Sequence, residues 1–526
     1  MENVALLELI LLLLALSVGL ALVARALRVP PAVVFVQGGM ILALTPGVPA
    51  FTLDPALSMT LFLPPLIQSG AFFTVWRDFR ANLRPILLLA VGAVAFTTLV
   101  VGWTVKLLEP SLPWAACFTL GAIVSPPDAV AAAAVLERLR LPRRLQTVLE
   151  GESLVNDAAG LVLYRFAAAA ALGGVFDAWH AAASFALVAA GGIGIGYLSG
   201  LLLVWGLRRL HDTNLEITTS FLAAYASYIL AERLEVSGVL ATVACGLVLG
   251  WRQHETFTPE TRQEARAAWR FVTFVLEAIV FVLIGLSLRG VLGRLGWAHT
   301  LPLLPLAAAV TLATVAARFV WVFPATYLPR LLWPPLRRRD PYPPLKQPLV
   351  LAWCGMRGVV SLAVALALPE GFPGRDPILV VTFGVILGTV MLQGPTLGPL
   401  IQALKVGRTR AEDDTAAEHA ARAAAAEAAL RLMETRAQDP LMGDMAADLL
   451  PEYRSHAGRA QRSAAGAGKR AEREAHLSLR LAASAAARQE VLRRHRASDI
   501  HDEVLRKLEH ELDLEELRVR RQLGGD

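Results

Sequence analysis

The chain has 526 residues, of which 55% are hydrophobic and only 18% charged, and its mean hydropathy is +0.51. A soluble globular chain is nearer a quarter charged; this much apolar surface does not fit inside one water-solvated core, which leaves lipid as the surrounding solvent. The 50 basic and 44 acidic residues give a formal charge of +6, but many of the basic residues gather in short loops between apolar runs, which is a topology signal and not a nucleic-acid footprint.

Residues 1–24 are apolar almost throughout and lack the basic start and small-residue cleavage site of a secretory peptide, so they read as a retained first span. A helix needs about 20 apolar residues to cross the hydrocarbon. Thirteen segments meet that need: 4–24, 30–46, 55–74, 84–106, 113–136, 146–172, 179–206, 215–231, 236–251, 269–289, 299–328, 347–368 and 378–403. With the N-terminus outside, the cytoplasmic loops carry 20 Lys and Arg and the opposite loops 5, which orients the chain and puts its C-terminus in the cytoplasm. Cys117, Cys245 and Cys354 fall inside apolar runs, too far apart to form a disulfide framework or metal cluster, and read as small core residues.

The expected fold is therefore an all-α membrane protein. Spans 1–6 start outside and spans 8–13 start inside, so two six-helix units related as inverted repeats fit the count, with span 5 matching span 12. Both carry chain-breaking residues at mid-span, Ser125-Pro126-Pro127-Asp128 in one and Gly355-Met356-Arg357-Gly358 in the other. Paired interrupted helices point to a substrate site. The glycines Gly191, Gly192, Gly194, Gly196 and Gly200 of span 7 read as a close helix contact. Residues 406–526 form a tail rich in Ala, Glu and Arg, with expected breaks near Asp439-Pro440 and Gly466-Ala467-Gly468 and a stripe of Leu505, Leu508 and Leu512 at helical spacing. Six of the ten histidines lie there, which suggests a solvated helical tail that senses pH or dimerises.

An ionisable group inside a span costs about 3 kcal/mol unless paired or hydrated. Asp128, Glu152, Asp157, Arg165, Glu277, Arg318 and Arg357 stand out on that ground, whereas Glu8 and Glu232 lie near span ends. In Glu152-Ser153-Leu154-Val155-Asn156-Asp157, Ser153 and Asp157 are four apart and share a helix face, with Asn156 flanking it. Carboxylate, hydroxyl and amide oxygens suit hard cations, and one carboxylate among neutral oxygens suits a monovalent ion. A carboxylate removed from water must be neutralised, and a group that takes either a proton or an alkali ion is already an exchanger. Asp128 reads as a supporting acid at the break or as a direct cation ligand, and Asn156 joins Asp157 and Ser153 in the expected cation- and proton-binding set. Arg357 needs an acid, and Glu152 is the candidate; Arg318 is a candidate partner for unwound carbonyls or for Glu277. Arg165 reads as an interface charge.

The runs Gly121-Ala-Ile-Val-Ser-Pro-Pro-Asp128-Ala-Val130, Leu149-Glu-Gly-Glu152-Ser153-Leu-Val-Asn156-Asp157 and Gly355-Met-Arg357-Gly358 together resemble the bacterial sodium–proton antiporters of the first monovalent cation–proton antiporter family, relatives of the eukaryotic sodium–proton exchangers. The resemblance covers about residues 1–405 and implies a thirteen-helix homodimer in the cell membrane. A core domain of spans 4–6 and 11–13 would move against a dimerisation side of spans 1–3 and 7–10. It further implies that Asp157 binds proton or cation, that Ser153 coordinates the cation as a metal ligand, and that Glu152 and Arg357 form a structural ion pair. Asn156, where electrogenic relatives carry a second aspartate, implies one-for-one exchange of Na⁺ or Li⁺ for H⁺. The sequence departs at Pro127 and Ala129, where many members read Thr and Pro.

The same residues admit other readings. A potassium–proton antiporter shares every feature above. A cation channel would need a ring of carbonyls or acids, and no filter-like run is visible. A hydrolase using Ser153 lacks the closing glycine of a nucleophile elbow, since the run reads Gly151-Glu-Ser153-Leu-Val155. The expectation is a transporter and not an enzyme, with cation, proton and lipid as partners, no nucleic acid and no cofactor.

Overall fold

The computed structural model describes residues 2–27, 29–45, 55–128, 141–173, 178–406, 411–439, 442–464, 470–497, 499 and 501–524. Two compact units emerge, Met1–Arg408 and Thr409–Asp526, and every regular element among the described residues is helical. The first unit runs through α1 (Glu2–Leu27), α2 (Pro31–Leu44), α3 (Pro55–Phe73), α4 (Trp76–Ala81), α5 (Leu83–Leu87), α6 (Val94–Leu108), α7 (Trp114–Val124), α8 (Arg143–Ala171) and α9 (Ala178–Leu207). It continues through α10 (Thr213–Arg233), α11 (Gly238–Thr256), α12 (Pro259–Thr300), α13 (Leu304–Leu332), α14 (Pro334–Arg339), α15 (Lys346–Trp353), α16 (Val359–Leu366) and α17 (Arg375–Leu404). Among the described residues, six helical stretches are long and apolar enough to cross a membrane: Leu83–Leu108, Arg143–Ala171, Ala183–Leu207, Pro259–Gly290, Gly296–Leu332 and Arg375–Leu404. Shorter apolar helices cover Leu11–Leu27, Pro31–Leu44, Met59–Phe73 and Trp114–Val124.

Local chemistry sets many of the ends. Asp212 accepts from the Leu215 N–H at 2.9 Å, Ser237 from Leu240 at 3.2 Å and Thr258 from Thr261 at 3.2 Å, so α10, α11 and α12 each begin on a side-chain cap. The Thr258 cap and Pro259 at the first helical position explain why α12 starts well before the expected boundary at residue 269. Its first turns, with Glu260, Arg262, Glu264 and Arg266, carry the helix beyond the apolar run. Between α5 and α6, residues Leu88–Ala93 form a π-helical turn. The Trp321 indole donates to the Leu88 carbonyl there at 2.8 Å.

Where backbones approach closely, glycine permits it. A Cβ on Gly192 or Gly196 of α9 would collide with the Ser237 or Ala241 carbonyl at α11, and one on Gly191 or Gly200 with Val236 or Val248. Gly194 faces open space. Gly39 of α2 and Gly285 of α12 abut each other's backbones in the same manner.

Span 12 is broken as expected, into α15 and α16 with residues 354–358 non-helical between them. Span 5 stops as a helix at Val124; its expected continuation over 129–136, with Ala129 and Val130, lies outside the described residues. In the second unit α18 (Ala411–Arg436) packs on α19 (Gly443–Ala464), and α20 (Arg470–Arg496) on α21 (Asp502–Gly524). The chain breaks after Arg436 near the expected Asp439, while Pro440 and Gly466-Ala467-Gly468 lie outside the described residues. Leu505, Leu508 and Leu512 are half-buried on α21, and Arg488 of α20 pairs with Asp513 at 2.5 Å and Glu516 at 3.2 Å.

Candidate functional site

Two non-helical segments cross, and the crossing is held by backbone groups that helix breaks leave over. The Asp128 N–H donates to the Met356 carbonyl at 2.6 Å. Arg357 donates from Nε to Val124 O at 2.8 Å and from Nη2 to Ser125 O at 3.1 Å, and from Nη1 to its near neighbour Gly355 O. Val124 ends α7, so a cation caps the negative end of a half-helix. Ser125 Oγ donates to Gly121 O at 2.5 Å and lies 2.9 Å from Thr98 Oγ1, and the Arg357 N–H donates to Thr389 Oγ1 at 3.1 Å. The Asp128 carboxylate lies against Gly358, the residue that precedes α16, where a Cβ would collide with it. An acid thus sits at the positive end of the second half-helix.

α8 passes this crossing and presents two neighbouring faces. On one, Glu152, Asn156 and Gly160 recur every four residues. Glu152 is 2% exposed and forms a two-point ion pair with Arg318 of α13, Nη1–Oε1 2.5 Å and Nη2–Oε2 2.8 Å. Arg318 also donates to the Leu351 carbonyl near the end of α15, from Nη2 at 3.1 Å and Nε at 3.3 Å. Asn156 is fully buried and donates from Nδ2 to the Pro127 carbonyl at 2.5 Å, while its Oδ1 is buried without a hydrogen-bond partner. Gly160 receives the Pro126 ring, which a Cβ there would block. On the other face Ser153 and Asp157 are only half-buried, and the Asp128 carboxylate acts electrostatically on Asp157.

The ion pair expected between Glu152 and Arg357 is corrected by this geometry: Glu152 pairs with Arg318, and Arg357 is satisfied by three carbonyls. A guanidinium carries five N–H donors, so either a carboxylate or a set of freed helix-end carbonyls can hold it. Arg318 meets the unwound-carbonyl role through Leu351; the acid it holds is Glu152. Glu277 sits half-buried on α12. Arg165 pairs with Glu232 of α10 at 3.1 Å with both groups partly exposed, and Glu232 also receives the Gly238 N–H at 3.2 Å.

Sequence reasoning passed over Thr98, Thr389 and Gly160. Each threonine also donates to its own helix four residues back, Val94 O and Val385 O, both at 2.8 Å. That is the ordinary habit of a helical hydroxyl, so only the spacing of Gly160, four beyond Asn156, was a usable signal. Among the described residues no group of three or more His, Cys, Asp or Glu is arranged to hold a metal ion; the candidate cation site offers oxygens of mixed type around one or two carboxylates.

A helical membrane unit organised around two crossing helix breaks defines a secondary-transporter class of fold. The family model for the transmembrane sodium/hydrogen exchanger matches residues 12–403, and the chain belongs to that family of antiporters. It is 33% identical over 416 residues, 75% of this chain and 61% of the relative, to a sodium, potassium, lithium and rubidium/H⁺ antiporter of Bacillus pumilus. It is 33% identical over 506 residues, 94% of this chain and 92% of the relative, to an uncharacterized Na⁺/H⁺ exchanger of Mycobacterium tuberculosis. A sodium proton antiporter structure from Methanocaldococcus jannaschii superimposes with a TM-score of 0.60 at 20% identity, covering 78% of this chain and 100% of that one, a likeness of fold.

Proposed function

We propose that the protein exchanges one Na⁺ or Li⁺ for one H⁺ across the cell membrane by alternating access, with Asp157 taking proton and cation in turn. The division of α8 into two faces carries the reading. Glu152, Asn156 and Gly160 are consumed in holding the broken helices, which leaves Ser153 and Asp157 on the accessible side. On the neighbouring face Asn156 keeps its Oδ1 unpartnered, a further candidate oxygen for the cation. Ser153 Oγ and an Asp157 carboxylate oxygen are the direct ligands in this scheme, and Asp128 is a supporting acid. The carbonyl of Pro127 keeps Asn156 oriented.

In this scheme thirteen spans form two inverted six-helix repeats, and a core of spans 4–6 and 11–13 shifts against spans 1–3 and 7–10 within a homodimer. The N-terminus lies outside and the C-terminus inside, as the loop charges favour. A charged empty site is costly to carry across the hydrocarbon barrier, which suppresses leak and couples the two ions. Asn156 in place of a second acid makes the cycle electroneutral.

Exchange in proteoliposomes, followed with a pH dye, tests the reading: Asp157→Asn abolishes Na⁺-driven proton movement, and retention of full exchange refutes it. An imposed membrane potential leaves the equilibrium unchanged if exchange is electroneutral. The broad alkali-ion range in the name of the Bacillus pumilus relative favours a second reading, K⁺/H⁺ exchange at the same site; titration with Na⁺, Li⁺ and K⁺ separates them.

A further inference from the structure

We propose that a cleft at the Asp340 end of α8 and α13 binds the phosphate headgroup of an anionic phospholipid. Asp340, between α14 and α15, receives Arg84 at 2.6 Å, Arg144 at 2.6 and 2.9 Å, and Arg330 at 2.7 Å. Three guanidiniums around one carboxylate leave two positive charges in excess. Arg330 is only 4% exposed on its side chain, and Nη1 of Arg84 is buried without an acceptor. A charge excess of this kind does not serve a cation pathway, which it would repel, and a structural tie needs only one guanidinium per carboxylate. Arg330 also donates to the Asp340 and Thr326 carbonyls and Arg144 Nε to Asn82 Oδ1 at 3.2 Å; those acceptors are neutral, so the excess charge stays and suits a second anion.

Beside the cluster lies a shallow, open cleft lined by Arg144, Arg330 and Gln347 on its polar side and by Leu88, Val148 and Leu351 among its apolar residues. Arginine matches the geometry of phosphate oxygens, and a basic pocket between helices on the cytoplasmic side suits a lipid headgroup. Free phosphate would satisfy the guanidiniums but leave the apolar side without a partner; a phosphodiester with an acyl chain satisfies both. Placement in the inner leaflet rests on the orientation proposed above. The occupant would also touch the site's framework. Leu351 carries the carbonyl held by Arg318, and Val148 is one turn before Glu152 on α8. A bound lipid therefore fastens α8 to α15 next to the ion pair.

The test uses the purified full-length protein in detergent, with no ion gradient, so its outcome is independent of exchange activity. Dioleoyl phosphatidylglycerol is titrated against dioleoyl phosphatidylcholine, with binding read by native mass spectrometry and by thermal unfolding. The expected result is saturable binding of the phosphatidylglycerol, weakened about tenfold or more by Arg144→Gln, as the loss of a charged hydrogen bond predicts. Leu88→Trp, which fills the apolar side without altering charge, weakens it as well. Inorganic phosphate competes only at far higher concentration. Binding unchanged in both variants overturns the proposal, and so does inorganic phosphate binding as tightly as the lipid, which would give the cleft to a free anion.

Discussion

Along α9 and α11 the helices meet backbone to backbone, through Gly192 and Gly196, whereas at the crossing of the broken helices they meet through guanidiniums, carboxylates and freed carbonyls. At Gly192 and Gly196 the first seam sets helix against backbone carbonyl, which leaves little to rearrange. The second is bound tightly on one face of α8, yet it keeps an unpartnered amide oxygen at Asn156 and half-buried oxygens at Ser153 and Asp157. Close packing favours one arrangement, while an incompletely satisfied polar cluster can take up a further ion. The difference separates a packed seam from the candidate site within a single helical unit.

Breaking the polar side has the largest expected effect on stability. Arg318→Met alone strands Glu152 in a dry environment and costs about 3–5 kcal/mol, while Glu152→Leu combined with Arg318→Met recovers most of that loss. Thermal unfolding across this double-mutant cycle measures the coupling. Asp340→Asn comes next, at about 1.5–3 kcal/mol in all, because of the three arginines its carboxylate serves only Arg330 is buried, while Arg84 and Arg144 are partly exposed and screened. Burial alone would raise the Asp340 carboxyl, but Arg144 and Arg330 hold it below the usual range. A lowered folded value means stability present at neutral pH and lost as the pH falls below the ordinary carboxylate value of about 3.9. The gap in unfolding temperature between Asp340→Asn and the parent should therefore narrow in acid.

The glycine seam yields smaller changes. Gly196→Val forces α9 off the Ala241 carbonyl and costs about 1–3 kcal/mol, whereas Gly194→Ala, which meets open space, stays within about 0.5 kcal/mol. Equal effects at the two positions, read by thermal unfolding, would erase the distinction between seam and free surface. Smallest of all is Arg165→Gln, below about 1 kcal/mol, since its pair with Glu232 is partly exposed.

Several parts of this were visible in one dimension. Pro126, Pro127 and Gly355 to Gly358 announced the two breaks, because proline lacks an N–H and glycine lacks a Cβ. Spacing of four put Ser153 with Asp157. The same spacing also put Glu152 with Asn156 and Gly160, but burial on the second face is a property of what packs there, and it could not be read from α8 alone. The partner of Glu152 is likewise not encoded in α8. Two buried arginines competed for one acid, and carbonyls released by the break at Val124 and Ser125 satisfied the one that was expected to pair.

Composition and hydropathy by themselves determined that the chain is helical and at home in lipid, where every backbone polar group must be satisfied within the protein. The motifs marked which residues are too polar for that solvent to be there by chance. Tertiary structure alone decided which charge meets which, because a guanidinium's choice between carboxylate and carbonyl depends on groups brought within about 3 Å from segments 166 and 233 residues apart, a separation that periodicity does not encode.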